Sequence, residues 1–308
     1  MSRDTADGVP QLPGTDAPLA AGELVLLLDR KGRRHLITLE PGQQWHSHAG
    51  TVDHDALIGV AEGSSVRTGR GMQVSVLRPT REDFVLKMKR GAQVVYPKDQ
   101  AMIVAAADVR PGATVVEAGA GSGALTLALL AAVGEQGRVI SFERREDHAS
   151  VARRNVERFL GGAPANWELT VGDVCEHLAA LTVHRVVLDL LEPWTVVPAA
   201  AAALPPGGIV LAYTPGVPQV MRFSDTLTDD GRFGQLRTTE TLVRPWDVDG
   251  LAVRPAHRMV AHTAFLTTAR RLPSAAEGGP RRGRRKSDSF GRIDWEASDA
   301  TRPVEPDA

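Results

Sequence analysis

The chain has 308 residues, 43% of them apolar, which is enough for one large domain or two modest ones. Its formal net charge of −1 excludes an overall basic surface but leaves room for local basic patches. A single cysteine, Cys175, excludes an internal disulfide and a thiolate metal cluster and fits a reducing, cytoplasmic setting.

In chain order, residues 1–20 are polar and Pro-rich and are expected to form a flexible leader without the apolar run of a signal peptide. Residues 21–95 read as a small β-rich domain. Strands are expected at Glu23 to Asp29 and Arg34 to Leu39, joined as a hairpin by Lys31-Gly32, and at Ala56 to Val60, Gln73 to Leu77 and Phe84 to Met88. Residues 96–270 change to alternating helix and strand. Pro97 opens a helix, and Gly123 to Val133 and Arg145 to Phe159 are further helices. Strands are expected at Thr114 to Glu117, Arg138 to Phe142, Trp167 to Val171, Arg185 to Asp189 and Gly208 to Tyr213. Such alternation predicts a mostly parallel sheet covered on both faces, an α/β Rossmann-like fold with its ligand at the carboxyl ends of the strands. Residues 271–308 are poor in apolar residues and are expected to be a disordered basic and polar tail. No stretch reaches the ~18 apolar residues of a membrane span.

The chemistry is concentrated where the first strand of the third zone ends. Glu117-Ala118-Gly119-Ala120-Gly121-Ser122-Gly123 turns from a buried strand into a helix opened by Ala124. Glycines permit positive φ and close ligand approach, and the helix start offers free N–H groups. Gly119, Gly121 and Ala124 also match the dinucleotide pattern G-x-G-x-x-G/A. Glu143, at the end of the second strand, suits ribose hydroxyls in either cofactor class, so glycines and Glu143 together leave the choice open. Glu117 tilts it, because a carboxylate before the loop favours a cationic methionine portion over a pyrophosphate. Asp173, after the third strand, is placed to accept from an adenine amino group, to cap the short helix beginning at Val174, or both. These residues point to S-adenosylmethionine.

Beyond the loop, Tyr96-Pro97-Lys98-Asp99, Asp189-Leu190-Leu191-Glu192-Pro193-Trp194, Arg254-Pro255, Arg258-Met259 and His262-Thr263 together resemble the tRNA (adenine-N1) methyltransferases that act on adenine 58 of the T-loop. The resemblance spans about residues 20–270, with Ala264 where many members carry glycine. It implies a class I methyltransferase with a seven-stranded sheet, tRNA as partner and a homo-oligomer, in bacterial members a homotetramer. N1 of adenine carries a lone pair and needs no strong base, whereas the methylated ring is a cation. The resemblance makes Asp189, at the end of a central strand, the residue that stabilises that charge and borders the cofactor. The alternative for Asp189 is a helix cap before Pro193-Trp194.

The target base must leave its stack, which gives Tyr96 a role as a stacking wall; packing in the core is the equal alternative. His262 is read as structural, as is Trp194, and Cys175 as a buried thiol. His46, His48 and His54 lack the carboxylate or thiolate partners of a metal site. Arg78, Arg81, Lys87, Lys89, Arg90 and Lys98, with Arg281-Arg282-Gly283-Arg284-Arg285-Lys286 in the tail, are candidates for phosphate contact or a solvated charged face. Competing readings are a methyltransferase of another RNA, a protein or a small molecule, a non-catalytic RNA-binding subunit, and a dinucleotide oxidoreductase.

Overall fold

The computed structural model describes residues 13–48, 50–91 and 93–273. The basic run Arg281 to Lys286 and the start of the expected leader lie outside them. The leader ends earlier than expected. Leu19 is fully buried, and its backbone exchanges hydrogen bonds with Gly59 and Val60, because an apolar side chain there completes the first core.

The N-terminal region carries β1 (Leu24–Asp29), β2 (Arg34–Thr38), β3 (Gln44–Ser47), β4 (Gly50–Asp53), β5 (Ser65–Arg67) and β6 (Gln73–Leu77). An antiparallel sheet runs in the order β2-β1-β6-β5, and β3 and β4 form a separate hairpin. Val25, Leu27, Leu39, Val74 and Val76 form its core, while Leu24 and Leu36 pack against the core of the following region. Alternation along β1 thus supplies both an internal face and a docking face.

Two expected strands are absent. His54–Ala56 is a 3-10 turn whose His54 carbonyl accepts from Leu57 and Ile58, so Leu57 reaches the core without a strand. The segment around Phe84 is a helix, α1 (Arg81–Lys87), started by a capping box: Thr80 Oγ1 accepts from Asp83 N at 3.1 Å and Asp83 Oδ2 from Thr80 N at 3.2 Å. Two satisfied backbone N–H groups at the helix start outweigh the β preference of Phe84 and Val85. Arg78 is also removed from the basic surface. Only 3% exposed, it pairs with Glu23 at 2.5 Å and Glu62 at 3.2 Å. His54 and His48 have separate roles: buried His54 accepts from Glu40 N through Nδ1, and His48 lies 3.0 Å from the Arg33 guanidinium.

The larger region follows in order α2 (Pro97–Ala106), β7 (Thr114–Ala118), α3 (Ala124–Val133), β8 (Arg138–Glu143), α4 (Glu146–Leu160), β9 (Trp167–Val171), α5 (Val174–His177), β10 (Arg185–Leu188), α6 (Val197–Ala203), β11 (Ile209–Thr214), α7 (Val217–Asp230), β12 (Phe233–Glu240), β13 (Trp246–Asp249), β14 (Ala252–Pro255) and β15 (Phe265–Arg271). A seven-stranded sheet runs β12-β15-β11-β10-β7-β8-β9, parallel from β11 to β9 and antiparallel around β15. Every residue of β11 is buried, as expected for a strand covered on both faces. One core lies on each face: Ile103, Leu127, Leu129 and Leu211 on one, Val186, Leu188, Phe223 and Leu227 on the other. The chain leaves β7 for β8 on one side and returns to β10 on the other, so the strand order reverses between β7 and β10. A crevice opens at such a reversal, at the carboxyl ends of the strands. The antiparallel hairpin β13–β14 projects from the body, with Trp246, Val248, Leu251 and Val253 exposed. Among the described residues no helix is long and apolar enough to cross a membrane.

Candidate active site

The glycine loop occupies that crevice. Asp189 N donates to Ala118 O at 2.5 Å, Gly119 N to Asp189 O at 3.4 Å, and Ala120 N to Phe142 O at 3.0 Å, so the loop is tied to the ends of both neighbouring strands. Gly121 and Gly123 have φ of +55° and +80°, which favours glycine at both. A Cβ on Gly119 would stand 3.2 Å from Glu143 Oε2, and one on Gly123 would stand 3.1 Å from Ala152 O. Above Gly121 the space is open, with nothing within 4 Å of a Cβ position. No side chain caps the start of α3, so the N–H groups of its first turn are left without a side-chain acceptor.

The predicted polar residues take distinct places. Glu143 Oε2 accepts from Gly121 N at 2.9 Å, and its other oxygen accepts from Arg145 N at 3.1 Å. Asp173 caps α5, accepting from Cys175 N at 2.9 Å, and its second oxygen pairs with the exposed Arg144. The Cys175 bond, then Arg144, holds its carboxyl below the usual range. Cys175 itself is only half-buried. Ser122 is buried, and its hydroxyl accepts from Gly91 N at 3.0 Å. Asn155 completes this strap, donating at 2.9 Å to both Ser122 O and Lys89 O. Sequence reading missed Asn155, a polar residue on the buried face of an amphipathic helix.

Glu117 is completely buried behind the loop. Its Oε2 accepts from Thr126 Oγ1 at 2.7 Å and Ser141 Oγ at 2.5 Å, while Oε1 has no partner. Burial pushes its carboxyl up to about 7, against the two hydroxyls; the charges of Asp189 and Glu143 add to the rise. Its bonds run into the core, so the expected interaction with a cationic ligand is electrostatic and not a contact. Carboxylates clustered around one glycine loop disfavour a pyrophosphate and favour a cation, whose positive charge draws the raised carboxyls of Glu117 and Asp189 towards their ionised forms. The loop's open face, the Glu143 carboxylate and this negative field fit the sulfonium and ribose of S-adenosylmethionine.

Beside the loop lies a cavity of about 360 Å³ lined by Tyr96, Asp189, Tyr213, Pro215, His262 and Thr263, among others. Asp189 is the residue shared between loop and cavity, and it caps no helix: the turn Pro193–Val196 starts after Glu192. Burial, followed by the charge of Glu143, raises its carboxyl to about 7. Tyr96 is half-buried at the start of α2 and lines the cavity, not the core. Lys98, expected among the RNA-facing cations, is instead enclosed. Its ammonium donates to Asp99 Oδ1 at 2.8 Å, Thr241 O at 2.8 Å and Thr263 Oγ1 at 2.6 Å, and Thr263 donates to Asp99 Oδ2 at 2.7 Å. This knot fastens the start of α2 to the cavity wall. Tyr213 was also missed, although it and Tyr96 are the chain's two tyrosines and both line the cavity. Trp194 packs against the second core under the Arg222 guanidinium, 4.3 Å from its ring centroid.

Comparison with known proteins identifies the family. A model of the tRNA methyltransferase complex GCD14 subunit matches residues 72–253, and a TrmI-like N-terminal model matches residues 18–66. The tRNA (adenine(58)-N(1))-methyltransferase TrmI of Thermus thermophilus is 41% identical over 247 residues, covering 80% of this chain and 96% of the relative. The tRNA (adenine(57)-N(1)/adenine(58)-N(1))-methyltransferase TrmI of Methanocaldococcus jannaschii is 33% identical over 273 residues, covering 80% and 95%. Among solved structures, tRNA (m1A58) methyltransferase TrmI from Aquifex aeolicus superposes with a TM-score of 0.73 at 29% identity, covering 84% of this chain and all of the other. A SAM-dependent O-methyltransferase from Thermotoga maritima superposes with a TM-score of 0.79 at 31% identity, covering 86% and 96%.

Proposed function

The chain belongs to the TrmI family of S-adenosylmethionine-dependent tRNA (adenine(58)-N(1))-methyltransferases, and from that premise we propose that it methylates N1 of adenine 58 in tRNA, with Asp189 and Tyr96 acting on the target base. Gly119, Gly121, Ser122, Gly123 and Ala124 form the cradle of the cofactor, Glu143 accepts its ribose hydroxyls, Asp173 receives its adenine and Glu117 supplies negative charge behind the loop. When bound there, S-adenosylmethionine supplies an electrophilic methyl group on a sulfonium.

The observation that carries this reading is the position of Asp189, hydrogen-bonded through its backbone to the glycine loop and lining the adjoining cavity. Adenine N1 attacks with its own lone pair, so no base is required. Positive charge then develops on the ring and is shared with the exocyclic amino group. An ionised Asp189 accepts a hydrogen bond from that group and stabilises the charge as it forms. Tyr96 packs against the flipped base and limits its orientation, which contributes through proximity.

Phosphate contacts are assigned to Arg81, Lys87, Lys89 and Arg90, near the junction of the two regions. Arg81 has no acidic partner within ion-pair distance among the described residues, and burial lowers its pKa. The chain is also proposed to form a homotetramer; the exposed apolar side chains of the β13–β14 hairpin support an oligomer. The deciding experiment is mass spectrometry of nucleosides from tRNA incubated with the protein and methyl-labelled S-adenosylmethionine. Label in 1-methyladenosine at position 58 is expected. Label in another nucleoside only would overturn the assignment.

A further inference from the structure

His262 stands in the cavity wall between two groups that can only accept. Its Nδ1 lies 2.6 Å from Glu240 Oε1 and its Nε2 lies 2.8 Å from Pro215 O. A peptide carbonyl and an ionised carboxylate have no proton to donate. A neutral imidazole has one N–H and one lone pair, so it satisfies one of these contacts and sets a lone pair against the other. Only the imidazolium satisfies both.

The place of this bridge in the sheet gives it a consequence. Glu240 is the last residue of β12, and Pro215 follows the last residue of β11. Those strands are not neighbours; β15 lies between them. At its first residue, Phe265 pairs with Glu240 on one side and Thr214 on the other. The His262 ring sits 4.9 Å from the Phe265 ring, above the start of β15, and spans from one flanking strand to the other. The next residue, Thr263, is fixed by the Lys98–Asp99 knot. The wall is therefore fastened twice, by a buried ion pair inside and a half-exposed histidine outside.

We infer that His262 is a positioning residue that acts as its imidazolium: it clips Glu240 to the Pro215 turn and so fixes the cavity wall against which the target adenine is held. The groups facing it fit this role. The Pro215 carbonyl and then Glu240 raise its pKa, Lys98 on α2 opposes them, and Asp189, Tyr96 and Tyr213 line the same cavity. The clip is closed while the ring is protonated. Raising the pH removes one proton, breaks one of the two bonds and loosens the wall. The chemistry at N1 is untouched, so the effect falls on the use of tRNA and not on cofactor affinity.

This inference rests on the reading of the cavity as the adenine site, and the test separates the two. Steady-state methylation of tRNA is measured across neutral to alkaline pH for the wild type, His262→Ala and Glu240→Gln, alongside 15N NMR of the histidine rings in the ligand-free protein. The wild type is expected to carry a proton on both ring nitrogens of His262 at pH 7 and to lose kcat/KM on the alkaline side, through KM. His262→Ala should raise KM for tRNA about tenfold at neutral pH and show no such alkaline loss. A glutamine amide donates to a neutral ring and accepts from a charged one, so Glu240→Gln should flatten the alkaline limb, a result that a merely structural glutamate would not give. A neutral single tautomer at pH 7 overturns the proposal, as does an alkaline limb that is the same in the wild type and Glu240→Gln. Failure of every variant and the wild type to methylate tRNA would count against the proposed substrate instead, and the NMR result would still report on the clip.

Discussion

The glycine loop and the cavity beside it share Asp189 but are assembled differently. Ties around the loop run from residue 117 to residue 143 and on to 189, through successive strands and helices of a parallel sheet. The cavity wall joins side chains 164 and 165 positions apart, where Thr263 meets Asp99 and Lys98. A loop set by backbone conformation tolerates change around it; a wall held by a few long-range polar contacts depends on each of them. The contrast predicts that lesions in the loop act on cofactor affinity, and lesions in the wall act on folding and on tRNA.

The largest effect is expected at the knot. Lys98→Met would leave Asp99, with no side-chain exposure, without its counter-ion. Breaking a buried pair from one side costs about 3–5 kcal/mol. Chemical denaturation should show that loss, and an undiminished stability would end the claim that the knot holds the wall.

Asp189→Ala comes next, with turnover lowered ~10²–10³-fold and cofactor affinity largely kept, as read by single-turnover methylation and calorimetry. Asp189 acts ionised and its carboxyl lies at about 7, so wild-type turnover should rise with pH through that value and fall below it. A rate independent of pH between 6 and 8 would remove Asp189 from the mechanism.

Glu117 tests the field behind the loop. Its folded pKa of about 7 stands above the ordinary value of 4.5. Between those values the folded protein binds more protons than the unfolded chain, so stability must fall as pH rises from 4.5 to 7. The full shift corresponds to about 3–4 kcal/mol for this enclosed group. Thermal melts of Glu117→Gln should lack that part of the slope; an identical slope would mean that Glu117 is ionised throughout.

The smallest effect is expected from Gly119→Ala. The added methyl meets Glu143 Oε2 at 3.2 Å and Asp189 O at 3.5 Å, and should weaken cofactor binding by about tenfold with little change in KM for tRNA. A change in tRNA use alone would erase the distinction between loop and wall.

Local sequence determined much of this protein. Alternating apolar strands and helices specify the parallel sheet, because both signals arise within windows of ten to fifteen residues. Gly119, Gly121 and Gly123 mark the loop, since positive φ and close approach demand glycine wherever the chain goes afterwards. The position of Asp189 beside the loop followed from its place after a central strand, while its proposed role and the substrate came from family resemblance. Errors arose where one local signal outweighed another: the Thr80–Asp83 capping box turned an apparent strand at Phe84 into α1.

Only the tertiary structure decided how charges are used. Arg78 and Lys98 read as solvent-facing cations, yet both are enclosed by partners from far away in sequence: the carboxylates of Glu23 and Glu62 for Arg78, and the Thr241 carbonyl and Thr263 hydroxyl, beside the adjacent Asp99, for Lys98. The same holds for Glu117, whose raised pKa comes from burial, and for His262, whose bridge from β12 to β11 exists because β15 inserts between them. A residue's type and spacing set what it can donate or accept. Its partners and its exposure to water are set by the fold, and these fix whether it carries charge, holds a wall or meets the substrate.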